Sequence, residues 1–230
     1  MENDMRPQPE EQAFPYHEID TADDEPDIVQ ATSRHELSAI KSDDVQLVIW
    51  QRKLPDTLQT WLENLDEQVM PVLRVLLEPA ELRPAMETLL HGYGLPKGEM
   101  RDLLIEDIND LVAAFADITQ SELVDVRLEY LNHDACWKFH RDSVEARLLT
   151  TYFGQATEWV PTEFAEQALH EQKEFQGPLE RLDAHDVAFF KGSSASPNSG
   201  IVHRSPPIAG TGHSRLLLCV NEPFATDLDP

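Results

Sequence analysis

Along this chain the spacing of apolar residues changes period once, near residue 121. Before that point it is mostly helical. QLVIW at 46–50 is a short strand, but from residue 54 to about 91 Leu58, Trp61, Leu62, Leu65 and Val69 recur at spacings of three and four. Pro71 bounds that run, while Pro79 and Pro84 punctuate the next. HGYGLPKG at 91–98 reads as a loop. Residues 99–119 then predict an amphipathic helix carrying Leu103, Leu104, Ile108, Leu111, Val112 and Phe115, with acids at its start where they complement the helix dipole.

After residue 121 the period becomes two. Residues 124–131 alternate Val, Val, Leu, Tyr against Asp, Arg, Glu, Leu, and WKFHRD continues the strand pattern after a turn at 132–134. Further strands are expected at 146–153, 186–192, 200–206 and 214–223, separated by Gly, Pro and Ser. Residues 161–173 read as a short helix or an ordered loop. The pattern predicts an α+β fold, with N-terminal helices followed by a small β-sandwich or barrel. Residues 1–30 are expected to form a disordered acidic tail, and 31–230 a single globular domain, mainly helical over 31–120 and with the barrel core over 121–223.

Composition narrows the function classes. A chain of 230 residues can bury one ordinary core. A net charge of −25 argues against nucleic acid as a partner, because that interface needs a basic face, and it disfavours anionic membrane surfaces for the same reason. Residues 1–14 hold no apolar signal core, and no apolar run approaches the ~20 residues of a membrane span. Cys136 and Cys219 are too few for a disulfide scaffold and are not spaced as a CxxC site. The expectation is a cytoplasmic protein with reduced thiols.

The candidate chemistry lies in the β half. His140 and Asp142 stand two apart, so on a strand both side chains would share one face. His203 sits on a later predicted strand. Two imidazoles and one carboxylate, leaving coordination positions open, are the donor set of a non-haem Fe(II) centre. The bland alternative is a solvated strand face with a local His–Asp hydrogen bond. His185 and His213 compete for the third place, but both read as turn residues. Arg215, set among leucines, needs an anion: either a bound carboxylate or an internal one such as Asp142 or Glu129. Arg147, five residues beyond Asp142, is expected on the opposite face of a continuous strand. Tyr152 reads first as a core aromatic. Cys136 and Cys219 each lie four residues from a candidate site residue, as soft ligands at the cavity wall or as small buried hydrophobes. GSSAS at 192–196 has no nucleophile-elbow context.

HRD, RLLTTYFG, GIVHRSPP and SRLLLCVNEP together resemble the double-stranded β-helix (cupin or jelly-roll-like) core of 2-oxoglutarate/Fe(II)-dependent oxygenases, the prolyl-hydroxylase-like branch especially. That resemblance spans about residues 124–221. A longer one, over roughly 45–223, carries IWQR, FHRD, TYFGxxTEWVP and GIVHRSPP and is similar to the uncharacterised bacterial family DUF1826. The oxygenase resemblance implies Fe(II) on His140, Asp142 and His203, 2-oxoglutarate anchored by Arg215, and Tyr152 as a second co-substrate contact. It implies a small-molecule or peptide substrate to be hydroxylated or demethylated. Two departures from that pattern concern the co-substrate: Gly154 is followed by Gln155 and Ala156 rather than a second glycine, and PPIAGTGH lengthens the interval from His203 to Arg215. The DUF1826 resemblance implies the alternative of a zinc-homeostasis protein holding Zn(II) in the same barrel without catalysis.

Overall fold

The computed structural model describes residues 27–196 and 199–223. Two sheets organise it. The larger has seven strands: β1 (Asp27–Ala31), β2 (Val45–Trp50), β3 (Leu73–Leu77), β4 (Val124–Leu131), β5 (Ala146–Phe153), β8 (Val187–Lys191) and β10 (Arg215–Asn221), in the order β1-β2-β8-β5-β10-β4-β3. The smaller has the order β7-β6-β9, from β6 (Glu158–Trp159), β7 (Glu180–Arg181) and β9 (His203–Arg204). A single bridge from His140 to His203 adds a fourth member to it. Every pairing in the central strands is antiparallel, and the crossing of the chain between the two sheets makes the double-stranded β-helix expected from the resemblance.

The strand period decides what lies on each side. Val126, Leu128, Leu148, Tyr152, Phe189, Leu218 and Val220 point to one side of the large sheet. They meet the buried faces of α1 (Asp56–Glu63), α2 (Leu82–Gly92) and α3 (Glu99–Thr119). Phe115 of α3 stacks on Phe189 with ring centroids 5.2 Å apart. Each such fully buried Leu or Phe contributes about 1.5–3 kcal/mol. The alternate residues, among them Leu149, Phe190, Leu217 and Cys219, face the barrel interior together with Ala156, Leu182 and Ile201. Both faces are therefore covered, which is why β10 reads as the unbroken apolar run LLLCV and is buried throughout. On the outer side of the small sheet, Val160 and Val202 pack with Phe139 against α4 (Ala165–Glu171), which forms within the segment read as a short helix.

Two expectations are corrected. The helical reading of residues 54–91 misses β3: Leu73 and Leu77 are buried while Arg74 and Leu76 are exposed, the alternation of an edge strand begun just after Pro71. The tail assigned to 1–30 overlaps β1, which pairs parallel with β2. The rest of that acidic tail lies outside the described residues. The segment expected to be mainly helical thus supplies two strands of the large sheet, β2 and β3, and the end of the assigned tail supplies a third, β1.

Candidate metal centre and its buried arginine

His140, Asp142 and His203 converge. Each offers one ligand atom, and the three atoms lie within 4.8 Å of one another. The two histidines are locked by a reciprocal backbone pair, His140 N–H to the His203 carbonyl and His203 N–H to the His140 carbonyl, both at 3.0 Å. Their Nδ1 atoms donate to the carbonyls of Lys138 and Ile201, at 2.8 and 3.0 Å. A carbonyl can only accept, so each neutral imidazole carries its proton on Nδ1 and turns an Nε2 lone pair inward. That is how a metal-ligating histidine is usually oriented. The Nε2 atoms face Asp142, at 3.6 Å from Oδ1 for His140 and 3.4 Å from Oδ2 for His203.

The expected strand through WKFHRD is not what brings them together. Residues 132–139 are irregular, with Cys136 in the left-handed region at φ 49°, and only His140 bridges. Asp142 is instead fixed from the far end of β8. Its carbonyl accepts from the Ser193 backbone N–H at 2.8 Å and the Ser193 hydroxyl at 2.9 Å. Gly192 makes this docking possible, since a Cβ there would collide with the Val144 carbonyl. The GSSAS segment is an anchor for Asp142.

Burial alone would raise the Asp142 pKa, but His203, His140 and Arg147 together pull it down to about 2. For His203 burial wins over Asp142, and the pKa falls below its ordinary value. For His140 burial is outweighed by Asp142 and the Lys138 carbonyl, and the pKa rises. Asp142 Oδ2 is buried and has no hydrogen-bond donor. A bare carboxylate oxygen beside two inward lone pairs is unfavourable unless a cation joins them, so the donor set fits a divalent ion.

Arg147 corrects another expectation. It faces the site, pairing through Nη1 with Asp142 Oδ1. The bends at Ser143, Val144 and Glu145 break the strand phase between the two, so counting residues from Asp142 put Arg147 on the wrong face. Within β5 the rule holds: Arg147, Leu149 and Thr151 all turn inward.

Arg215 is buried at the opposite end of the interior, with 1% of its surface exposed. Nη2 has two long contacts, to Thr151 Oγ1 at 3.3 Å and Thr157 Oγ1 at 3.5 Å, while Nε and Nη1 have no partner. Neither Asp142 nor Glu129 pairs with it among the described residues. Burial lowers its pKa to about 10, only partly offset by Cys136, Glu158 and Glu129. Gly154, at φ 86°, lets the end of β5 press against the Arg215 backbone, where a Cβ would meet the Ser214 carbonyl. Thr157 also lines the pocket that reaches His140, His203, Arg147 and Leu149, linking Arg215 to the His-Asp-His cluster. Cys136 and Cys219 line the same pocket but are not among the three converging donors. Cys136 is exposed, and burial pushes the Cys219 thiol up to about 11.

Tyr152 lies elsewhere. It belongs to the helix-side core, on the face of β5 away from the pocket, and its hydroxyl donates to Asp107 Oδ2 at 2.6 Å. Arg52 of the IWQR motif pairs with the same carboxylate and donates to the His185 carbonyl at 2.9 Å. Burial and Asp107 hold the Tyr152 pKa well above its usual value, so the hydroxyl stays a donor. His185 is held in this group by its Nε2 contact with the Tyr152 carbonyl, 3.1 Å. His213 is exposed just after the turn at 209–212. Tyr152→Phe is expected to cost about 1.5–3 kcal/mol of stability, the worth of a hydrogen bond to a charged group, and to leave metal affinity unchanged. Urea unfolding and a metal titration of the variant check both halves.

Among solved structures, the dioxygenase for auxin oxidation from rice aligns with a TM-score of 0.50 at 10% identity, covering 88% of this chain and 87% of that one. Dioxygenase for auxin oxidation 1 from Arabidopsis thaliana, in complex with 2-oxoglutarate, gives 0.49 at 12% identity over 88% and 95%. A Pseudomonas putida prolyl-4-hydroxylase gives 0.42 at 12% over 83% and 99%. The likeness to the rice protein is one of fold. No curated protein matches the sequence. Among the described residues no helix is long and apolar enough to cross a membrane. A family model described as "Protein of unknown function (DUF1826)" matches residues 31–221.

Proposed function

We propose that this chain, which belongs to the DUF1826 family, is a non-haem Fe(II)- and 2-oxoglutarate-dependent oxygenase. One observation carries the reading: the pocket lined by His140 and His203 of the His-Asp-His donor set is also lined by Thr157, against which lies a buried arginine whose Nε and Nη1 lack partners. A planar guanidinium pairs best with a carboxylate, and the donor set leaves coordination positions free. A 2-oxo dicarboxylate carries a partner for each, a 2-oxo acid end for the donor set and a distal carboxylate for the arginine. The fold shared with the rice dioxygenase agrees with this reading.

When bound, Fe(II) would supply the redox chemistry that couples oxidative decarboxylation of 2-oxoglutarate by O2 to oxidation of a second substrate. The chain's own tasks follow from its residues. His140, Asp142 and His203 would hold the ion, and Arg215 would orient the co-substrate through its distal carboxylate. Leu149, Leu217 and Phe190 supply the apolar part of an interior that also carries Arg127, Glu129 and Arg147. A zinc-holding, non-enzymatic barrel would be favoured by a cysteine among the donors or by an internal acid on Arg215, and the described residues supply neither.

Many oxygenases of this chemistry turn over their 2-oxo acid slowly without a second substrate, so the test needs no substrate identity. Purified protein with Fe(II), ascorbate, O2 and 2-oxoglutarate is expected to release succinate and CO2 in equal amounts, and His203→Ala to release none. Wild-type protein that binds Fe(II) yet forms no more succinate than His203→Ala would refute the proposal.

A further inference from the structure

The floor of the barrel carries a polar row that the function above does not use. Arg147 of β5, Asn221 of β10 and Asp125 of β4 stand directly opposite one another across three adjacent strands. Arg147 Nε donates to Asn221 Oδ1 at 2.6 Å, and Asn221 Nδ2 donates to Asp125 Oδ2 at 3.3 Å. Arginine can only donate and a carboxylate only accept, so this sequence of partners fixes the orientation of the Asn221 amide. Arg127 also holds Asp125. Asn221 is fully buried, which makes a satisfied row of this kind a rigid one. With Nε committed to Asn221, the guanidinium plane is set and its Nη1 meets Asp142 Oδ1. The other carboxylate oxygen, Oδ2, is left without a donor and lies 3.4 Å from His203 Nε2. Phe190, opposite Arg147 on β8, packs on the His203 ring at 4.9 Å between centroids, so the row stands at the level of the donor set.

We propose that Arg147 is a positioning residue: held by Asn221, it occupies Oδ1 of Asp142 and presents Oδ2 as the single carboxylate donor to the ion. The proposal rests on the metal-centre reading. It follows from fork geometry: one planar group spans two acceptors, Asn221 on β10 and Asp142 in the segment before β5, which a lysine ammonium on a flexible stem cannot do with a fixed direction. Outer-shell partners of metal ligands act in this way, and their loss commonly weakens metal binding.

The test uses Co(II) alone as the probe, read by its dissociation constant and by its visible spectrum at saturation. Wild-type protein is compared with Arg147→Lys, Asn221→Ala and His203→Ala. Arg147→Lys keeps the charge and loses the fork, and Asn221→Ala keeps the arginine and frees it. Both are expected to bind Co(II) about 10–100-fold more weakly, with an altered visible spectrum, and His203→Ala to lose the site. Wild-type affinity and spectrum in Arg147→Lys and Asn221→Ala, with His203→Ala still inactive in binding, would overturn the positioning role and leave the metal centre standing. Equal Co(II) binding by wild type and His203→Ala would overturn the metal centre itself. If Asn221→Ala does not fold, Arg147→Lys decides, because it retains charge and bulk at the same position.

Discussion

Asp142→Asn is expected to lower succinate formation by more than about 100-fold and to destabilise the metal-free protein by about 2 kcal/mol at pH 7. The first effect follows from removing an ionised donor, since even the outer partners of such donors are worth 10–100-fold. The second follows from linkage. The carboxyl is depressed from 3.8 to about 2 in the folded protein, and one pH unit of such depression corresponds to about 1.4 kcal/mol. The sign is that of a depressed acid: the stabilisation is complete above the unfolded value near 3.8 and is lost as the pH falls through about 2. The gap between wild type and Asp142→Asn in urea unfolding should therefore be widest near neutrality and narrow below about pH 4. An amide would also leave Arg147 without its charged partner, which acts in the same direction at neutral pH.

Arg215→Met is expected to do the opposite to stability while also abolishing activity. A guanidinium with 1% exposure and partnerless Nε and Nη1 is a cost to the metal-free fold, about 1–3 kcal/mol for each unsatisfied buried group. A flexible apolar side chain that replaces the arginine's stem and lacks its guanidinium removes that cost, so the variant should unfold at a higher urea midpoint than wild type. It should also lose the stabilisation that 2-oxoglutarate gives the metal-loaded wild type, about 2.7 kcal/mol at a hundred times Kd. Thermal melts with and without 2-oxoglutarate separate the two effects. A wild-type melt unmoved by 2-oxoglutarate, together with an Arg215→Met protein less stable than wild type, would mean that the arginine serves the fold and not a ligand.

The donor types and the arginine could be read from the sequence because their chemistry is local. A histidine two residues from an aspartate, a later histidine and an arginine among leucines each stand out against their neighbours. The barrel was visible in the period of two after residue 121, and α3 in its apolar spacing. What escaped depends on where the chain bends. The left-handed residue Cys136 and the turn at Ser143–Glu145 interrupt the strand phase, so Arg147 and Asp142 meet despite their odd separation. The alternation in β4 does not say where its polar side points; Arg127 and Glu129 line the barrel pocket, since the apolar side of the strand is claimed by the helices. Tyr152 took an even position in β5 and therefore joined Asp107 and Arg52 rather than the pocket. β3 was concealed by a helical run on both sides, and only Pro71 marked the change.

The proposed oxygenase function is tested most directly by an anaerobic titration of Fe(II)-loaded protein with 2-oxoglutarate, followed by visible absorption. The wild type is expected to develop a weak charge-transfer band that saturates at one equivalent, and both His203→Ala and Arg215→Met to show none at the same concentrations. Wild-type protein that holds Fe(II) firmly but develops no band at any 2-oxoglutarate concentration would contradict it.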